Sequence, residues 1–285
     1  MLGKLTVFLL FLLLVWGNVV SGLGAGLACP DWPLCYGQYI PPLKWDIILE
    51  KGHRVVAALT GGVLIGLCVQ RLLRYRGWSR VLPLTAVFFL AIQILLGREV
   101  VLLKLPVNIT TLHFGMAIAI LSLALYMAFH DGAENRPRFS LRGISGVLFV
   151  LCFLVLVQSV FGAYVRHSGS GLGCGVDFPR CLGFWIPPHI SGSVMIHLTH
   201  RLIAYAVLLT VIALTVSALI TNNLGRIKNT LFAVLALLLI QVAVGAGVVY
   251  TELHVMGTAF HLLIALLILS AVAYAWFNNM KETGV

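Results

Sequence analysis

Eight apolar runs of bilayer-crossing length dominate this sequence, near residues 4–22, 47–73, 82–101, 109–130, 143–164, 193–220, 227–249 and 256–277. A transmembrane helix needs about 17–25 predominantly apolar residues, whereas the strands of a membrane barrel alternate polar and apolar residues over roughly ten positions. These runs do not alternate, so they read as helices. Only 10% of the 285 residues are charged and 60% are hydrophobic, against about 25% charged in soluble domains. No stretch remains for a separate soluble domain. The expected fold class is all-α integral membrane, with about eight transmembrane helices.

The formal charge of +10 would suggest nucleic acid in a soluble protein, but here its placement gives topology. Arg71, Arg74, Arg76 and Arg80 lie between the second and third runs. Arg136, Arg138 and Arg142 follow the fourth, Arg226 and Lys228 follow the sixth, and Lys4 and Lys281 flank the ends. All fall on one side of an eight-span arrangement, the cytoplasmic side by the positive-inside rule. Both termini are therefore expected in the cytoplasm of a multi-pass cell (inner) membrane protein, and no nucleic-acid partner is expected. His130, among Asp131, Glu134 and Arg136, reads as a solvated residue at that side. Lys4 before an apolar run resembles a signal peptide, but the run has a counterpart in mid-chain, which favours a retained helix.

That counterpart belongs to an internal repeat. Cys29 and Cys35 match Cys174 and Cys181 at offsets of 145 and 146, and His53-Arg54 matches His200-Arg201 at 147. Gln93, Gly97 and His113 match Gln241, Gly245 and His261 at 148. Such uniform offsets predict a duplicated four-helix unit, residues 1–135 and 136–285, giving two pseudo-symmetric four-helix bundles. Four helices per copy preserve orientation, so the repeat is parallel, about an axis along the membrane normal.

Each copy places ionisable residues near the outer end of its second helix. In the first, Glu50 and His53 are three apart and share a helical face. In the second, His197 stands where Glu50 would be. Ionisable groups in a span are costly and mark function, so the site carrying a carboxylate reads as reactive and the other as supporting. The outer cysteines, in an oxidising compartment, read as disulfides Cys29–Cys35 and Cys174–Cys181, with a metal or redox pair as the alternative. Gly61, Gly62 and Gly66 would allow close helix approach.

Four histidines match between the copies: His53 and His113, His200 and His261. Each pair comes from the second and fourth helices of its bundle at similar depth. Facing histidines in a helical bundle hold cofactors, and imidazole is a standard haem axial ligand. Zinc stays open, since Glu50 or His197 could supply a third ligand, but the apolar, glycine-lined surroundings favour a flat ring. His167 and His189 read as loop residues. His254, seven before His261, touches a cofactor edge or sits at the interface. Arg54 and Arg201 could pair with haem propionates or snorkel to the interface.

Taken together, the Gly26-Leu27-Ala28-Cys29-Pro30-Asp31-Trp32-Pro33-Leu34-Cys35 segment, Glu50-x-x-His53-Arg54, and the matched His113, His200 and His261 resemble the haem A synthase family over nearly the whole chain. The resemblance implies oxidation of the C8 methyl of haem O to a formyl group, giving haem A for terminal oxidases. It implies His53 and His113 as axial ligands of the substrate haem, and His200 and His261 as ligands of a resident haem b. It further implies a catalytic Glu50 and a functional role for Cys29 and Cys35. The implied partners are membrane lipid, the synthase that makes haem O, and an electron donor, and a homo-oligomer is compatible with it. Two other classes stand beside it. A di-haem cytochrome relaying electrons between quinol and a partner explains four histidines but not a lone Glu50. A quinone-linked disulfide oxidoreductase explains the cysteines but not the histidines.

Overall fold

The computed structural model describes residues 1–136, 140–220 and 227–282. Arg138 and Arg226 of the basic loops lie outside the described residues. Among the described residues eight α-helices follow one another in sequence: α1 Leu2–Gly22, α2 Trp45–Arg74, α3 Val81–Leu102, α4 Val107–Phe129, α5 Gly143–His167, α6 Gly192–Ile220, α7 Lys228–Tyr250 and α8 Val255–Glu282. All eight are long and apolar enough to cross a membrane. Among the described residues there are no strands, only isolated bridges Cys35–Gln38 and Cys181–Phe184. Helices prevail because a segment in hydrocarbon must satisfy its own backbone hydrogen bonds. Side chains such as Phe8, Leu73 and Val69 are exposed along them, as lipid-facing residues are.

The chain divides into two compact units, Met1–Pro137 and Arg138–Val285. In the first, α1 packs on α2 and α4, and α3 packs on the same two helices. In the second, α5 packs on α6 and α8, and α7 on α6 and α8. Each unit is thus a ring of four helices in which the second and fourth stand diagonally opposite. Leu64, Leu67, Ile118, Leu121 and Met127 fill the interior of the first unit, and Leu148, Ala218, Ile227, Leu231 and Ala275 form a cluster in the second. Lipid is as apolar as leucine, so close packing rather than water exclusion holds such helices together.

The helix ends repeat as well. α4 begins directly after Pro106, whose fixed φ suits a helix start. The α3–α4 turn places Lys104 and Leu105 at positive φ, and the α7–α8 turn does the same with Glu252 and Leu253. At the basic end, Arg71 is buried and its Nε donates to the Met127 carbonyl at 2.9 Å, while Arg74 donates to the Asp131 carbonyl at 3.0 Å. These cations cap the C-terminal end of α4, where the helix dipole favours positive charge. At 30 residues, α2 is about 45 Å long at roughly 1.5 Å per residue, longer than a hydrocarbon core of about 30 Å. Its first turns therefore extend toward an interface, beside the exposed Tyr39, Ile40, Leu43 and Trp45.

Candidate functional site

The α1–α2 loop of the first unit is closed by the Cys29–Cys35 disulfide and turned by Asp31, whose carboxylate accepts the N–H groups of Tyr36 at 2.7 Å and Gly37 at 2.8 Å. The Gly37 bond, chiefly, holds the Asp31 carboxyl below its ordinary value. Tyr36 and Gly37 both take positive φ, a conformation glycine adopts without strain. Arg54 then ties the loop to α2. Its Nη1 donates to the Asp31 and Leu34 carbonyls, both at 2.8 Å, and its Nη2 donates to the Cys29 carbonyl at 3.2 Å and to Glu50 Oε1 at 2.5 Å. Glu50, only 4% exposed, completes the bracket by accepting the Cys29 N–H on Oε2 at 2.7 Å. A carboxylate offers about four acceptor sites, so one bond to each oxygen leaves further capacity on both.

The second unit builds the same bracket from different chemistry. The Cys174–Cys181 loop is turned by Asp177, which accepts the Gly183 N–H at 2.6 Å. Arg201 donates to the carbonyls of Arg180 and Asp177, both at 2.9 Å, and its guanidinium lies 5.4 Å from the Phe178 ring. In place of Glu50 stands buried His197, approached by the Cys174 N–H at Nδ1 (3.3 Å) and by Arg201 Nε at Nε2 (3.2 Å). A neutral imidazole has one acceptor nitrogen, so it satisfies one of these donors at a time, where Glu50 satisfies both. Among the described residues no three His, Cys, Asp or Glu side chains gather as metal ligands. Both guanidiniums serve as clamps on the cysteine loops, a use the sequence reading did not include.

One turn inward come the four matched histidines. His53 lies eight residues beyond Trp45 in α2 and His200 eight beyond Gly192 in α6. His113 lies six beyond Val107 in α4 and His261 six beyond Val255 in α8. At about 1.5 Å per residue these are roughly 12 and 9 Å from the N-terminal ends of their helices, so each pair sits at a similar depth on diagonal helices. His261 is near enough to His200 to act on it electrostatically. All four rings are only partly buried.

Each ring rests on a glycine of the neighbouring helix. A Cβ on Gly97 would lie 3.0 Å from His113 Cε1, one on Gly162 2.9 Å from His200 Cε1, and one on Gly245 3.0 Å from His261 Cε1. One on Gly17 would lie 3.2 Å from His53 Nε2. Three rings also meet a glutamine carboxamide one turn before the glycine: Gln93 at 3.4 Å from His113 Nε2, Gln158 at 3.5 Å from His200 Nε2, and Gln241 at 3.2 Å from His261 Nε2. Gln158 is further fixed by donating to the His200 carbonyl at 2.8 Å. Position 13, which corresponds to Gln158, is leucine, and it is the Leu13 backbone that His53 meets. The glutamines and these seats were missed from sequence, although the Gln-x-x-x-Gly spacing before Gly97, Gly162 and Gly245 is a usable signal.

Other expectations are settled differently. His130 is not solvated: it is 1% exposed, stacks on Tyr126 at 4.2 Å and accepts the buried Tyr75 hydroxyl on its carbonyl at 2.5 Å. Aromatic neighbours and the end of α4 bury it despite the charged loop that follows. His167 closes α5 rather than lying in the loop, because α5 runs three residues past the apolar run. His189 is in the loop, and His254 is exposed before α8. A Cβ added at Gly61 or Gly66 would meet Leu90 or Leu2 only at ordinary van der Waals distance, and one at Gly62 would meet nothing within 4 Å. The glycines that let helices approach the site are Gly17, Gly97, Gly162 and Gly245 instead.

These residues fit a large flat ring bearing a metal. Diagonal imidazoles face one interior from opposite sides, glycine removes the Cβ behind each, and the buried Nδ1 atoms of His200 and His261 have no hydrogen-bond partner among the described residues. A buried polar atom of this kind is costly unless something bound there engages it. The profile of the cytochrome oxidase assembly protein family, COX15-CtaA, matches residues 2–51 and 44–273. The chain is 32% identical over 284 residues to the "Heme A synthase" of Halalkalibacterium halodurans, covering 95% of this chain and 94% of that protein. It is 33% identical over 277 residues to the "Heme A synthase" of Alkalihalophilus pseudofirmus, covering 92% and 91%, and 31% identical over 279 residues to that of Shouchella clausii, covering 93% and 92%. With the matched bundles, loop brackets and histidine pairs, this places the chain in the COX15-CtaA family of cytochrome oxidase assembly proteins, together with the haem A synthases.

Proposed function

We propose that this chain is a haem A synthase, oxidising the C8 methyl of haem O to a formyl group. The observation that carries the reading is the asymmetry of two otherwise matched sites: a buried carboxylate, Glu50, stands one turn from the histidine pair in the first unit, and His197 stands there in the second. The second loop is fastened to its helix with His197 in the place of Glu50, so that fastening does not by itself require a carboxylate there. The first unit is the substrate site, with His53 and His113 as ligands of haem O. His200 and His261 hold a haem b, which would supply one-electron redox chemistry.

In the overall conversion a methyl carbon gains one oxygen at the level of water and loses four electrons and four protons, through an alcohol and then a hydrated aldehyde that sheds water. Protons must leave the reacting carbon and its oxygen, and Glu50 is the buried group placed to accept them. Arg54 orients that carboxylate through a charge-assisted bond, leaving lone pairs for a proton or for a developing positive charge. The disulfide-closed loop, fastened through Arg54 and Asp31, covers the outer end of this pocket and limits water entry. The cysteine loops lie on the extracytoplasmic side and the termini in the cytoplasm, in keeping with the basic inner loops. An electron partner and the enzyme that supplies haem O act with it in the membrane.

The test is Glu50→Gln in cells that make haem O. Haem b should stay bound, while extracted haems contain no haem A. Normal haem A formation in that variant refutes the assignment of Glu50. Only haem B in extracts of the unaltered protein, despite haem O supply, would favour an electron relay instead.

A further inference from the structure

The four histidine seats are not equivalent, and the difference falls on one residue. Three rings share one setting: Cε1 faces the glycine, with Nδ1 and Nε2 at 3.6 to 3.9 Å on either side, and a carboxamide from the same helix meets Nε2. His53 departs from it. Its Nε2, not Cε1, points at Gly17, with Cδ2 and Cε1 both at 3.9 Å, and position 13 offers it only a backbone contact, whereas Gln241 meets His261 through backbone and carboxamide alike. Leu13 and Gly17 have the same four-residue spacing as Gln158 and Gly162, so the two seats differ by the side chain at that position. Without a carboxamide to set it, the His53 ring turns a ligating nitrogen into its own wall.

Resting on the haem reading above, we propose that His53 is the exchangeable ligand of the four and that Leu13 is the positioning residue that makes it so. To bind iron through Nε2, His53 must rotate that nitrogen out of the wall; in the other three rings Nε2 does not face the glycine, and a carboxamide has only to give way. A site that takes in one haem and releases another requires a ligand that lets go, and a resident site requires the reverse. Groups that orient a metal-bound histidine typically change metal affinity about 10–100-fold, and that is the difference expected between the two kinds of seat.

The test exchanges the residues: Leu13→Gln in the first unit and Gln158→Leu in the second. Each full-length protein is purified in detergent from cells making haems B and O, and haem per chain is measured. Haem transfer to excess apomyoglobin is then followed optically, with His261→Ala marking the second-unit phase. The unaltered protein should lose haem in a fast and a slow phase. Leu13→Gln should slow the fast phase by about 10–100-fold, and Gln158→Leu should accelerate the slow one by a similar factor. A single phase in the unaltered protein, or a haem-loaded variant whose phase does not move, overturns the proposal. Should Leu13→Gln fail to fold, Gln158→Leu alone decides. Unaltered protein that carries no haem at all instead refutes the haem reading beneath it.

Discussion

Replacing Gly245 by alanine should separate two quantities that usually fall together. The new Cβ would stand 3.0 Å from His261 Cε1, with Nδ1 and Nε2 at 3.6 and 3.9 Å. Carbon atoms pack best at about 3.5–4.0 Å, so the ring must retreat by roughly 0.5–1 Å. Holding a side chain about 30° from its rotamer costs about 0.5–1.5 kcal/mol, which translates to roughly two- to tenfold weaker haem retention. Alanine in place of glycine in a helix interior stabilises the helix by about 0.5–1 kcal/mol. The fold should therefore hold or gain stability while haem binding falls. Gly247, two residues along the same helix, is the control, since a Cβ there meets nothing within 4 Å. Gly247→Ala should show only the gain. The assay is haem per chain and the reduced spectrum of both variants in detergent, with thermal unfolding of the haem-free protein beside it. Full haem and an unchanged spectrum in Gly245→Ala, or equal haem loss in Gly247→Ala, would refute the seat.

Arg201→Lys keeps the charge but loses the fork that reaches His197, Arg180 and Asp177, which is worth about 1.5–3 kcal/mol for a bond to a charged group; the Cys174–Cys181 disulfide should then be reduced faster by a phosphine at neutral pH. Asp31 has a lowered pKa from the Gly37 and Tyr36 N–H bonds, so its hold on the first loop is present above the ordinary carboxylate value of 3.8 and lost as pH falls below it. Reduction of Cys29–Cys35 by a phosphine should accelerate in that acid range, and Asp31→Ala should already be fast at neutral pH. Burial raises the Tyr75 pKa above its ordinary 10.0, so stability conferred by its protonated hydroxyl is present below pH 10 and lost as pH rises through the folded value. Tyr75→Phe should cost about 1–3 kcal/mol at neutral pH, seen as a lower unfolding temperature, and should flatten the alkaline loss.

Much of this architecture was legible because a bilayer leaves few solutions. Apolar length alone located α1 to α8 to within a few residues, and the repeat paired His53 with His200 and His113 with His261. What escaped were relations between helices. No periodicity shows that Gly97 backs His113 or that Gly17 backs His53, because the contact joins neighbouring helices whose rotation is set by packing. Gln93 and Gln241 were visible as matched letters, but a glutamine in a span says nothing of its partner until the helices are side by side. Arg54 next to His53 suggested a ligand-facing charge; a helix turns about 100° per residue, which sends Arg54 toward the cysteine loop. His130 was misread because the charges after it in sequence diverge from it in space.

The ligands, glycine seats and loop bracket named for each site all belong to one four-helix unit. A polypeptide of half this length would own a complete haem-holding site, and two identical copies could do no more than hold two haems alike. Joining the copies in one chain frees each to change alone. Leu13 against Gln158 and Glu50 against His197 are such changes, and both fall in the first unit's favour as a place of turnover. On the function proposed above, duplication divides labour: one half keeps its pigment, and the other parts with it.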